Sequence, residues 1–489
     1  MENSENSNLK EKTLSGLFWS FFERVGAQLV SFIVSIVLAR LLMPEEYGVI
    51  AIVLVFINIC NVFINSSFSQ ALVQKKEVDD TDFSSVFYFN VVFSVVLYTI
   101  LYFCAPLISY FYKMEILTPV IRVLGIGLFF SSANSVQKAK VSRDMQFKKF
   151  FFSNLGGTVA SAIIGIIMAY LGFGVWALVA QNLSNNIINT FILFITIKWR
   201  PKLLFSFSKI KVLFKFGWKI LAAGLINVLY EDFRSLYIGK LYTADDLAFY
   251  TRGRQFPCLI VDNVNSSISS VLFPVISKSQ SDTSKVKSMT RRAIKTSTYI
   301  LTPLMVGLAA VAEPMVELIL TEKWLPCVPF LQILCINYAL VPMQTANLQA
   351  INALGRSDIA LKLEIVKRSL SFLTVLIFAR ISVVAMAWSG AVAAFVCLAL
   401  NVSPNKKLLG YGLIEQLKDV LPFWLMSAAM MGCVMAVSLL DLPTIIELIV
   451  MVLVGAAVYI LLSIIFKVES FKYILNTAKP FLSKLKRKK

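Results

Sequence analysis

The 489-residue sequence contains no histidine. That excludes histidine general acid–base catalysis, histidine-ligated metal centres and a histidine proton switch. Its seven cysteines are scattered, mostly inside apolar runs, and none forms a CxxC pair. They read as small apolar side chains, with no metal site among them. No glycine-rich phosphate loop of the Walker or GxGxxG kind is present, so the chain hydrolyses no nucleotide by that route. Charge is scarce as well. Asp, Glu, Lys and Arg make up 15% of the residues, where a soluble domain carries about 25%. No polar stretch exceeds about thirty residues, which leaves no room for a soluble catalytic domain, and no enzyme is expected.

What remains is apolar. Hydrophobic residues make up 57% of the chain, and the mean hydropathy is +0.74. Apolar runs of 18 residues or more recur along nearly the whole length, the length a helix needs to cross hydrocarbon while satisfying its own backbone. The expectation is an all-α polytopic membrane protein with about fourteen transmembrane helices. The first seventeen residues are polar and the first apolar run is long, so no cleaved signal peptide is expected. The net charge of +19 is distributed as topology requires, not as nucleic-acid binding would. Five basic residues fall in 138–149, six in 198–215, six in 278–295 and eight from Lys467 onward. These segments share one side of the membrane when both termini are cytoplasmic.

A repeat organises the chain. "IVLARLLMPEEYGVIAI", from Ile36, is matched two hundred residues later by "LYIGKLYTADDLAFY". Arg40 aligns with Lys240, Glu45 with Asp245 and Glu46 with Asp246, and residues 16–48 align on 216–248 without a gap. Each copy opens a block of six spans, so the two blocks are parallel repeats. The expected layout is an N-lobe at 1–200, a linker at 201–215, a C-lobe at 216–410, and two further spans with a basic cytoplasmic tail at 411–489. In the linker Leu204, Phe207, Ile210, Leu213 and Phe214 recur at helical spacing among Lys209, Lys211 and Lys215, the pattern of an amphipathic helix on the cytoplasmic surface. "DDTD" at 79–82 reads as a helix cap.

Polar side chains inside the spans are costly and therefore informative. Arg24 and Gln28 share one face of the first span; Asn58, Asn61 and Asn65 share one face of the second; Asn182 and Asn186 lie on the sixth. The seventh carries Asn227, Glu231 and Asp232, and the eighth Arg252, Arg254, Asp262 and Asn265. Two readings stay open for such stripes: helix–helix hydrogen bonding, or the lining of an aqueous cavity. Their concentration on the repeat-related spans favours the cavity. Arginine offers a planar fork to phosphate oxygens, so Arg24, Arg252 and Arg254 suggest an anionic ligand, a phosphate or pyrophosphate. Internal salt bridges to Glu23 or Glu231 are the other explanation of these arginines.

The segment "SGLFWSFFERVGAQLVSFIVSIVLARLLMPEEYGVIAI", the basic interlobe stretch, "LYTADDLAFYTRGRQFP" and the six-plus-six-plus-two layout resemble the Wzx-type polysaccharide flippases of the multidrug/oligosaccharidyl-lipid/polysaccharide exporter superfamily, in particular the WzxC-like colanic-acid exporter branch. That resemblance implies a bacterial inner-membrane protein with two six-helix lobes around a central cavity. It implies alternating-access translocation of undecaprenyl-diphosphate-linked oligosaccharide units for exopolysaccharide, capsule or O-antigen. In the related lipid II flippases, arginines on helices 1 and 8 are thought to hold the diphosphate, and Arg24 with Arg252 or Arg254 match them here. The expectations that follow assign ion coupling to Glu23, Glu231 and Asp232, with Na+ or H+ as the coupling cation and no other cofactor. They assign an outer gate to Arg40, Glu45, Glu46, Lys240, Asp245 and Asp246. Expected partners are the lipid-linked glycan, membrane lipid, and a polysaccharide polymerase or other export components, with no nucleic acid. A cation-coupled multidrug exporter of the same fold and a lipid II flippase are the alternatives.

Overall fold

A computed structural model describes residues 26–65, 68–75, 77–440 and 442–476. Every regular element among the described residues is a helix. They divide into two compact units, residues 1–248 and 249–489. The first contains α1 (Gly26–Leu41), α2 (Pro44–Asn65), α3 (Phe68–Gln74), α4 (Asp80–Tyr112), α5 (Leu117–Gly125), α6 (Gly127–Arg143), α7 (Phe147–Tyr170), α8 (Val175–Thr196) and α9 (Phe207–Leu241). Helix α10 (Ala244–Ser277) starts in the first unit and continues into the second. There it is followed by α11 (Thr283–Ala310), α12 (Ala312–Leu320), α13 (Val328–Ala339), α14 (Val341–Ala353), α15 (Ser357–Phe378), α16 (Val383–Leu409), α17 (Leu413–Val437) and α18 (Thr444–Ile465). The sequence places the second repeat's start at 216; the packing divides after Ala248, so α9 stays with the first unit.

Eleven helical segments among the described residues are long and apolar enough to cross a membrane, and twelve if the bent α9 is one span. The count of fourteen is not reached by that measure, for two identifiable reasons. Helix α1 is described only from Gly26 onward. Helix α15 carries Lys362, Glu364, Lys367 and Arg368 within its first twelve residues.

Local chemistry explains where the helices begin and end. Asp79 and Asp82 cap α4 reciprocally: the Asp82 amide donates to the Asp79 carboxylate at 2.8 Å and the Asp79 amide to Asp82 at 3.2 Å. The Ser382 hydroxyl accepts from the Ala385 amide at the start of α16, and Gly410 closes that helix at φ 63°, where a side chain would be strained. Helices α7 and α8 approach closely because Gly157, Ser161 and Gly165 recur every fourth residue. A Cβ on Gly165 would lie 2.9 Å from the Gln181 Cβ.

The interlobe segment is fastened to the first unit. Its helix begins at Phe207 and bends by 56° between Phe207–Lys215 and Gly217–Leu241. Ile210 and Leu213 are buried against Phe68, Leu72, Phe83 and Val136, while Phe207 and Phe214 stay exposed. Trp199 packs on Phe83 at 5.7 Å between ring centroids. The acidic cap of α4 has a second role here: Lys209 bonds Asp79, and Lys202 pairs with Asp80. The Lys209 ammonium holds the Asp79 carboxyl down at about 2. The Ser206 amide completes the fastening by donating to Ser85 Oγ at 2.9 Å.

Candidate functional site

The repeated turn resolves into a pair of self-capped helical hairpins. In the first copy the Met43 amide donates to Glu46 Oε2 at 2.8 Å. In the second the Thr243 amide donates to Asp246 Oδ2 at 3.2 Å, and the Asp246 amide donates back to Thr243 Oγ1 at 3.1 Å. In both copies an acidic residue in the first helical turn accepts from the cap amide three positions earlier, and it also complements the positive end of the helix dipole. Arg40, Glu45 and Lys240 are exposed at the same turns; Asp245 is half-buried. Lys240 caps the end of α4 by donating to the Phe111 carbonyl and lies 4.0 Å above the Phe111 ring. The two hairpins touch within the first unit. A Cβ on Gly48 would fall 1.9 Å from the Ala244 carbonyl oxygen, so only glycine permits this approach.

Glu23 and Arg24 lie outside the described residues. Of the other polar positions in the first unit, Asn58 on α2 and Asn227 and Glu231 on α9 are exposed. Gln28, Asn61, Asn65 and Asp232 are half-buried. Helix α8 behaves differently. The Asn182 amide donates to the Leu178 carbonyl of its own helix at 2.9 Å, and Asn186 packs against Gly127. One turn on, Asn189 is buried and bonded to Asn134, Ser153 and Asn154. Much of this asparagine stripe therefore joins α6, α7 and α8, a role with the same spacing as a cavity lining.

In the second unit the two candidate arginines part company. Arg252 is 5% exposed, 5.0 Å from the Trp324 ring and bonded to Gln255 at 2.7 Å. Arg254, two residues and about 200° further round the helix, is half-buried and donates through Nε to the Tyr338 hydroxyl at 3.2 Å. Cys258 and Asp262 follow on its face at four-residue steps, and the Cys258 thiol donates to Asp262 Oδ2 at 3.2 Å. Asp262, Asn263, Ser266, Ser267 and Ser270 are exposed, and Asn265 is half-buried, in the middle of a 34-residue membrane-length helix. A carboxylate at the centre of a span costs about 3 kcal/mol in hydrocarbon. Asp262 and Glu231 each present an exposed carboxylate on such a helix.

Three features escaped the sequence reading. Tyr338, the partner of Arg254, gave no signal in its apolar run. Glu364 on α15 pairs with Lys367 at 2.6 Å and Arg368 at 3.4 Å, a cluster that the charge count of that run could have flagged. An apolar groove of about 730 Å³ opens between α11, α13, α16 and α17, lined by Trp388, Phe395, Trp424, Met431 and Met435.

Comparison with known proteins adds the remaining findings. Residues 37–329 match the family model described as "Polysaccharide biosynthesis protein". The succinoglycan biosynthesis transport protein ExoT of Rhizobium meliloti is 22% identical over 342 residues, 70% of this chain and 69% of its own. The lipopolysaccharide biosynthesis protein WzxC of Escherichia coli is 24% identical over 362 residues, 74% of each chain. Among solved structures, the lipid II flippase MurJ in an inward closed conformation superposes with a TM-score of 0.74 at 18% identity, over 93% of this chain and 98% of that one. That likeness establishes the fold, an all-α, multi-pass membrane architecture.

Proposed function

The chain belongs to the polysaccharide biosynthesis protein family, and from that premise we propose that it is a flippase for undecaprenyl-diphosphate-linked oligosaccharide units in surface polysaccharide assembly. The observation that carries this reading is the exposed polar face of α10, with Arg254 on it, where a carboxylate favours water over hydrocarbon. A sugar–diphosphate head cannot cross about 30 Å of hydrocarbon unaided, and a hydrated face with a guanidinium fork offers it a route and an anchor. Arg254 serves this role better than Arg252, whose guanidinium is enclosed against Trp324 and Gln255. Arg24 is its proposed counterpart on the first span. The groove beside Trp388 and Trp424 gives the polyprenyl tail an apolar seat. Asn58, Asn61, Asn65 and Asn227 are proposed to meet sugar hydroxyls. Glu231 and Asp232 are proposed to couple a cation, Na+ or H+. The protein is proposed to sit in the bacterial inner membrane with both termini cytoplasmic, and to deliver to a polysaccharide polymerase.

The hairpins that meet at Gly48 and Ala244 are proposed to form the outer gate. Their contact supports a state closed on that side. A multidrug exporter would want an acidic, aromatic cavity for cations, and the arginine on α10 argues against it. The test is flipping of a defined lipid-linked glycan in proteoliposomes, together with surface polysaccharide in cells. Arg24→Ala and Arg254→Ala are expected to insert normally and to lose export; full export by both variants would refute the diphosphate site.

A further inference from the structure

The second unit holds a basic pocket on the surface where the sequence concentrates its Lys and Arg, apart from every residue assigned above. Ser288, Arg291, Arg292, Lys295 and Thr296 fall at helical spacing on one face of the first turns of α11. Opposite them lies a helix described over 469–476, after α18, which contributes Glu469, Ser470 and Tyr473. Together they enclose a cavity of about 470 Å³.

The cations in this cavity are unequally engaged. Arg291 is held by Asp419 of α17 at 2.6 Å, and Asp419 also accepts from the Tyr411 hydroxyl at 2.8 Å. Lys295 meets Glu469 at 3.0 Å, but that glutamate side chain is 85% exposed, and such a pair is worth little. Arg292 makes no ion pair among the described residues. Its guanidinium lies 3.6 Å from the centre of the Tyr473 ring. Stacking on the ring fixes the plane of the guanidinium and leaves its N–H edge for an acceptor. Ser288, Thr296 and Ser470 line the same cavity and add hydroxyl donors. One fork, one ammonium and three hydroxyls make a donor set for phosphate-ester oxygens.

The position of the pocket selects the source of the phosphate. Its two walls are the entry to the apolar part of α11 and the exit from α18, so it sits at headgroup level. The basic tail that follows draws anionic lipid to the same surface. We infer that this pocket binds the phosphodiester headgroup of an anionic phospholipid through Arg292 and Lys295. Occupancy ties the helix at 469–476 to α11 and so fixes the end of the two-helix extension. The inference is independent of what the protein transports.

The test uses the full chain in mixed micelles of dioleoylphosphatidylglycerol and dioleoylphosphatidylcholine, with retained lipid read by native mass spectrometry. The wild type is expected to retain phosphatidylglycerol in preference to phosphatidylcholine. Arg292→Ala combined with Lys295→Ala is expected to lower that retention by about tenfold, while eluting from gel filtration as the wild type does. Arg292→Gln alone carries the same expectation at smaller amplitude, should the double variant not accumulate. Millimolar inorganic phosphate is expected to leave the lipid bound. Equal retention of the two lipids, wild-type retention by the variants, or displacement by phosphate would each overturn the assignment.

Discussion

Gly48→Ala is the sharpest perturbation the structure offers. The added methyl would lie 1.9 Å from the Ala244 carbonyl oxygen, 2.5 Å from its carbon and 2.8 Å from its Cα. All three atoms are backbone at a helix start, so no side chain can swing aside. Relief requires the two hairpins to separate by more than about 1 Å, and overpacking of this kind costs about 1–3 kcal/mol. The clash exists only where the hairpins touch, so the protein can escape it by opening there without unfolding. The closed state should then lose about 5- to 150-fold in relative population. The assay is the rate of disulfide formation between Glu45→Cys and Asp245→Cys on a cysteine-free background, in membranes, with and without Gly48→Ala. The expected result is slower crosslinking at unchanged protein level. In the Gly48 background the crosslink itself should arrest transport. Unchanged crosslinking in the alanine variant would remove Gly48 from the gate, and a crosslinked but active protein would remove the gate.

Three further outcomes follow from the packing. Arg252→Ala should lower thermal stability by about 1–2 kcal/mol through loss of the Trp324 contact and the Gln255 bond; wild-type melting with abolished flipping would instead make Arg252 a ligand contact. The Asp79–Lys209 fastening depends on an ionised carboxylate whose folded pKa, about 2, lies below its ordinary value. Its contribution is therefore complete above about pH 5 and lost as pH falls toward 2. Limited proteolysis at Lys202 and Lys209 should rise over that window, and Asp79→Asn should be cleaved faster at neutral pH with a flatter pH response. Gly165→Leu should separate α7 from α8, because even a Cβ there sits 2.9 Å from that of Gln181; reduced accumulation in the membrane is the readout, and Gly432→Ala on α17, with nothing near it, is the comparison.

The helices were legible because hydrocarbon imposes one length and one backbone solution. The reading of "DDTD" as a cap was equally local, since the capping box closes within four residues. Its lysine partners were not legible, because Lys202 and Lys209 come from a segment more than a hundred residues away. The same limit governed the arginines. Two positions on α10 could be named as candidates, but which one faces outward is set by Trp324 and Tyr338, on elements that the sequence order does not place beside them. On α8 the period itself was ambiguous, since asparagines that glue helices and asparagines that line water recur alike. The α15 charges were passed over because Glu364 meets both its partners within one turn and leaves no long-range trace.

The caps on the repeated hairpins bear on how fast the protein can work. Each turn satisfies its own amides, Met43 on Glu46 and Thr243 on Asp246. Parting them at Gly48 leaves both of these cap bonds in place. The proposed gate motion therefore does not require either cap to break. In the proposed gate, the packed surface lost at Gly48 and Ala244 is then a main cost of each opening.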